Sequence, residues 1–136
     1  MMSSEVALLT ATAAHAGFQV TVTVLVYPAL ARVPAGQWAA AHLAHSRAIT
    51  PLVVVVYGAL VVTGGWSLLS GPDGWTIVAL ATLAVAALVT AVVAAPAHGR
   101  LGDAHDRAIV QRLVRADRVR AAAAALAVAA AALAAW

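Results

Sequence analysis

Long apolar runs set the pattern of this chain. Residues 6–31, 48–72 and 74–99 carry no formal charge, and residues 121–136 form a further uncharged run that is nearly all alanine. A hydrocarbon core of about 30 Å takes roughly 20 helical residues, so each of the first three runs is long enough to cross it. The last run is shorter and reaches full length only by drawing on the residues before it. Arg118 and Arg120 would then lay their stems along the helix and hold their guanidinium groups at headgroup level. The pattern therefore predicts an all-α fold, an integral membrane four-helix bundle in one domain covering 1–136, with spans at about 6–31, 48–70, 75–97 and 116–136. An amphipathic segment at about 101–118 leads into the fourth span, with Ile109, Leu113 and Val114 opposed to Arg107, Gln111, Arg115 and Arg118.

Composition sharpens this picture. With 64% hydrophobic and 10% charged residues, the chain lacks the charge of a soluble domain, in which about a quarter of residues are charged. The absence of cysteine excludes disulfides, thiolate zinc and Fe–S clusters. All eight cationic side chains are arginine, and they fall only in the first and third connections. The positive-inside rule then puts those Arg/His-rich connections in the cytoplasm and both termini on the outer side of a multi-pass cell inner membrane protein. The net charge of +3 reads as a topology signal with affinity for anionic membrane lipids, and no nucleic-acid module is discernible. The leader Met1 to Glu5 has no Lys or Arg, so the first run is expected to be retained as a span and not removed as a signal peptide. Trp66, Trp75 and Trp136 gather at the outer surface as interfacial anchors around the turn Ser70-Gly71-Pro72-Asp73-Gly74.

Polar residues inside the spans carry the candidate chemistry. Thr12, His15, Gln19, Thr23 and Tyr27 are spaced three, four, four and four apart and form one stripe on the first helix. In lipid such a stripe must face the bundle interior, where it serves either as interhelical glue or as a site. The second helix adds Thr50, Tyr57 and Gly64; the third adds Thr82 and Thr90, with His98 beyond Pro96. These positions predict a cavity among the first three helices, open toward the inner headgroups and suited to a lipophilic small molecule. The expected catalytic set is His15, Gln19 and Tyr27, with His15 as general acid or base, and the expected substrate-binding set is Thr12, Thr23, Tyr57, Trp38, His98 and Arg100.

The inner connections hold a second cluster. Trp38, His42 and His45 would share one side of a short helix, and His98, Asp103, His105 and Asp106 lie on the same side of the membrane. These histidines and aspartates could bind a metal ion, but the spacing matches no specific motif, so no cofactor is favoured. Helix capping and contacts with water or lipid phosphate are the plainer roles, Asp103 being the expected cap of the next helix. A diphosphate-bound magnesium at Asp103 and Asp106 ranks lower still. Pro28 and Pro96 close the first and third spans with similar sequences, Pro28-Ala29-Leu30-Ala31-Arg32 and Pro96-Ala97-His98-Gly99-Arg100. This is the pattern of two related helix pairs.

Tyr27-Pro28-Ala29-Leu30, Trp38, the stretch Ala95 to Leu101 and Asp117-Arg118-Val119-Arg120 together resemble a small four-helix membrane family that includes the anthrone-oxygenase-like proteins. Where that family has asparagines flanking the proline of the third-helix motif, this chain has Ala95 and His98. The resemblance implies cofactor-light oxidation or rearrangement of a flat, lipophilic polyketide-like substrate in a membrane pocket. Taken as a whole, the chain is expected to be a homo-oligomeric membrane enzyme of oxygenase or cyclase type acting on a polyketide-like or terpenoid-like compound. The alternatives are an exporter subunit without enzymatic activity and a His/Asp metal-binding membrane protein.

Overall fold

The computed structural model describes residues 2–102 and 106–136, and these form four helices with no strand among them. Helix α1, Ser4–Ala31, starts where the Ser3 hydroxyl accepts the Val6 N–H, a standard cap on the orphan donors of a first turn. A 3₁₀ turn, Ala35–Gln37, leads into α2, Trp38–Leu69. Gly71, at φ +85°, turns the chain back in a conformation that disfavours a Cβ. Helix α3, Gly74–Leu101, is capped by Asp73, whose carboxylate accepts the Thr76 N–H at 2.7 Å. That bond holds the exposed carboxyl below the usual carboxylate range. Helix α4, Arg107–Ala134, is capped by Asp106, which accepts from the N–H groups of Ala108 and Ile109.

Two of the helices widen at matching places. A π-helical turn covers Val22–Val26 of α1 and another covers Thr90–Ala94 of α3. Proline has no N–H, and its ring crowds the carbonyl four residues earlier, here Val24 before Pro28 and Val92 before Pro96. A wider turn relieves that crowding and leaves the helix unbroken. Each π turn begins six residues ahead of its proline (28 − 22 and 96 − 90), so the echo seen in the sequence extends to the backbone.

Alanine dictates how the bundle closes. Helix α4 lies between α1 and α3, and α2 packs along α1. Ala123, Ala124, Ala127, Ala130 and Ala131 are buried on α4. Having no bulk beyond Cβ, they let its backbone approach Leu8, Ala11, Ala79 and Leu83 closely. A second core at the other end gathers Val22, Tyr27, Trp38, Ala97, Leu101 and Leu113. At the turn end, the Ser67 hydroxyl donates to the Ser4 carbonyl at 3.3 Å and joins α2 to α1. Helices α2 and α3 stand further apart. They approach at Gly64, whose missing side chain leaves room for Leu80: an added Cβ would lie 2.9 Å from Leu80 Cδ2.

Helices α1, α2 and α3 are each long and apolar enough to cross a membrane. Leu52, Val54, Val55, Val61, Val62 and Leu69 turn outward from the protein, as do Trp66, Trp75 and Trp136. Helix α4 is 28 residues long, but its first half is heavily charged, and it does not join the other three by that measure. Two expected boundaries change. The amphipathic segment and the fourth span are one continuous helix, and the short helix expected around Trp38 to His45 is the beginning of α2. One placement is corrected: Arg120 does not extend outward from the bundle but is 6% exposed and turned into it. It shares the α4 face of Leu113, Ala116, Asp117, Ala123 and Ala124, so the helical repeat carries it inward.

Candidate functional site

The polar stripe of α1 faces inward along its whole length. Thr12, His15 and Gln19 are fully buried, and Tyr27 is nearly so. Each position meets something different. Thr12 returns its hydroxyl to the Leu9 carbonyl. His15 sits edge-on to Tyr57, with ring centroids 5.2 Å apart, and among the described residues neither of its ring nitrogens has a hydrogen-bond partner. Gln19 donates Nε2 to Asp117 Oδ1, and the Thr23 hydroxyl donates to Asp117 Oδ2 at 2.6 Å. Tyr27 reaches His98.

The stripe thus ends in two polar groups. The first is centred on Asp117, 1% exposed, whose two oxygens are held from α1 by Gln19 and Thr23. Arg120 Nη1 lies 3.9 Å from Asp117 Oδ1, a charge contact too long for a hydrogen bond. The second is a chain of rings. The Tyr27 hydroxyl lies 3.4 Å from His98 Nε2, and His98 Nδ1 lies 3.3 Å from His42 Nε2. In the tautomer that satisfies all three, the phenol donates to His98, and His98 donates to His42. His42 in turn stacks on Trp38 at 5.6 Å. Trp38 Nε1 donates to the Leu101 carbonyl at 2.8 Å, satisfying one of the acceptors left open at the end of α3.

A cavity of about 440 Å³ opens beside both groups. Its walls come from α1 (Phe18, Val22, Tyr27), α2 (Ile49, Val53) and α3 (Thr90, Ala94, His98), with Arg120 contributed by α4. Both π turns border it, through Val22 on one side and Thr90 and Ala94 on the other. A mostly apolar pocket of this size with a few convergent polar groups is the usual form of a small-molecule site.

Among the expected site residues, Tyr27, His98 and the metal candidate His45 line this cavity. Tyr57 lines a shallower groove between α2 and α3 with Gly64 and Leu80, and its hydroxyl lies 3.0 Å from that of Thr90. His15 and Gln19 line neither of these spaces nor the arginine-rich groove of Arg107, Arg115 and Arg118. Arg100 is exposed and away from the cavity wall, and Trp38 acts as a tie between helix ends. Among the described residues no three His, Asp or Glu side chains are grouped to hold a metal ion. Asp106 caps α4, whereas Asp103 and His105 lie outside the described residues. The sequence reading missed Asp117 and Arg120. Their signal was available, since the two fall three residues apart on the alanine face of the last helix.

No family model, curated protein or solved structure matches this chain.

Proposed function

We propose that this chain is an integral membrane protein whose cavity between α1, α2 and α3 receives a lipophilic small molecule and acts on it by proton transfer. The observation that supports this is the hydrogen-bonded chain Tyr27–His98–His42, which begins in the wall of a mostly apolar cavity. A phenol held on an imidazole can deliver a proton to a bound ligand or receive one, and a second imidazole behind the first stabilises the charge that develops. In a dry cavity these interactions are strengthened by the low local dielectric. The reaction class that fits is removal of an acidic proton from a flat polyketide-like or terpenoid-like compound. The resulting carbanion then adds to a carbonyl of the same molecule, the new alkoxide taking the proton back, or it combines with dioxygen as co-substrate to give a hydroperoxide that loses water and leaves a ketone. The likeness to the anthrone-oxygenase-like family belongs to this reading and rests on the motif residues alone.

The reading moves the acid–base role from His15 to His98, because His98 has ligand-sized space next to it. It also keeps the inner-membrane placement, with the arginine-bearing connections in the cytoplasm.

The test is substrate trapping. Solvent extracts of purified wild type and of His98→Ala are compared by mass spectrometry. A compound enriched in the variant and replaced by its product in the wild type is the expected result. A compound held unchanged by both proteins would favour carriage over catalysis, and extracts with no protein-specific compound would remove the reading.

A further inference from the structure

Arg120 is the only arginine in the cavity wall among the described residues, and it is 94% buried (6% exposed). A guanidinium has five N–H donors and keeps its charge in any protein setting. Here its single carboxylate neighbour answers few of them. Asp117 has committed both oxygens to Gln19 and Thr23, and it stands 3.9 Å from Nη1. On the opposite edge of the guanidinium, Nε is buried and has no hydrogen-bond partner among the described residues. A buried donor left open costs free energy unless an acceptor fills it. The cavity beside it is apolar along Phe18, Val22, Ile49 and Val53, whereas Tyr27, His45, Ser46, Thr50, Thr90 and His98 add uncharged hydrogen-bonding groups, so Arg120 is the one guanidinium among the described residues of its wall.

We infer that the cavity selects a lipophile with a planar oxyanion head, a carboxylate or an enolate, seated on the Nε edge of Arg120 with its apolar body along α2. This deepens the functional reading above, on which it rests, by naming the charge of the ligand. The side edge of a guanidinium presents two parallel N–H groups and matches the two oxygens of a carboxylate. Asp117 then has a defined part. It lowers the cost of keeping Arg120 buried when the cavity is empty, yet leaves the Nε edge open for the incoming anion. An enolate formed at the same place would be stabilised by the same donors, which joins ligand choice to the chemistry at Tyr27 and His98.

Binding of radiolabelled dodecanoate and of dodecanol, two probes of equal chain length, to the protein in phosphatidylcholine nanodiscs tests this. Empty discs correct for partition into lipid. The wild type is expected to hold dodecanoate about tenfold more tightly than dodecanol, as one charge-assisted contact would give. Arg120→Gln should abolish the preference while dodecanol binding persists, and Arg120→Lys should retain part of it. Should Arg120→Gln alone fail to fold, because it strands Asp117, the double variant Asp117→Asn/Arg120→Gln removes both charges and gives the same comparison. Equal binding of acid and alcohol by the wild type, or a preference that survives the loss of Arg120, would overturn the inference and leave the lipophile site standing. Failure of the wild type to hold either probe would instead remove the lipophile reading itself.

Discussion

Asp117 is the residue on which the inner polar arrangement depends. It is 1% exposed and is held by two side chains of α1 that lie 98 and 94 residues away in sequence. Removing one member of a buried charged pair leaves the other uncompensated, which generally costs about 3–5 kcal/mol. Asp117→Ala is therefore expected to lower stability by about that much in denaturant titrations of the detergent-solubilised protein. Adding Arg120→Met should recover most of the loss, since no charge is then stranded. The sequence displayed Gln19 and Thr23 as part of a stripe that required partners, and it displayed Asp117 as one charge within an arginine-rich segment. It could not join them, because periodicity reports which residues share a helix face and says nothing of which faces meet. His15 illustrates the same limit: its burial follows from the stripe, whereas its contact with Tyr57 depends on how α2 lies across α1.

At the scale of elements, the helices follow from the apolar runs, since a stretch with neither charge nor water to satisfy its backbone bonds must satisfy them internally. The ends are less legible. Trp38 begins α2 ten residues before the span expected from charge alone, which put its start at residue 48 (48 − 38). That start is fixed by the bond from Trp38 to Leu101, and the last turn of α3 is thereby tied to the first turn of α2. Trp38→Phe keeps the ring and deletes the donor, leaving the carbonyl to be satisfied by water or not at all. The expected cost is about 1–3 kcal/mol, seen as a lower melting temperature, with faster amide exchange confined to the end of α3 and the start of α2. The π turns were foreshadowed only by Pro28 and Pro96, because Val22–Val26 and Thr90–Ala94 have the composition of any other turn in these helices.

For the whole molecule, three helices are long and apolar enough to cross a membrane, and the orientation proposed above from the distribution of arginine can be tested directly. The chain contains no cysteine, so single cysteines introduced at Gly36 and at the exposed Ser70 report on topology without background. An impermeant maleimide added to intact cells should label Ser70→Cys and leave Gly36→Cys unlabelled until the cells are opened. The reverse pattern would invert the bundle and place His42, His45 and His98 on the outer side. Fold class was readable from hydropathy because the solvent constrains it so strongly. The cavity was readable only as an expectation of polar residues without partners, since its volume depends on how far α2 and α3 diverge.

That divergence has a consequence for how any guest arrives. Placed in a bilayer, the gap between α2 and α3 faces acyl chains, so a molecule already dissolved in the leaflet reaches it sideways and never sheds a water shell at the mouth. The concentration that governs occupancy is then the amount in the leaflet, and, well below saturation, two compounds of equal fit whose partition coefficients differ by about tenfold would fill the protein about tenfold differently at the same aqueous dose. On the function proposed above, selection is thereby divided between membrane and protein: the lipid sorts by oiliness, and the side chains need only distinguish what the lipid has already admitted.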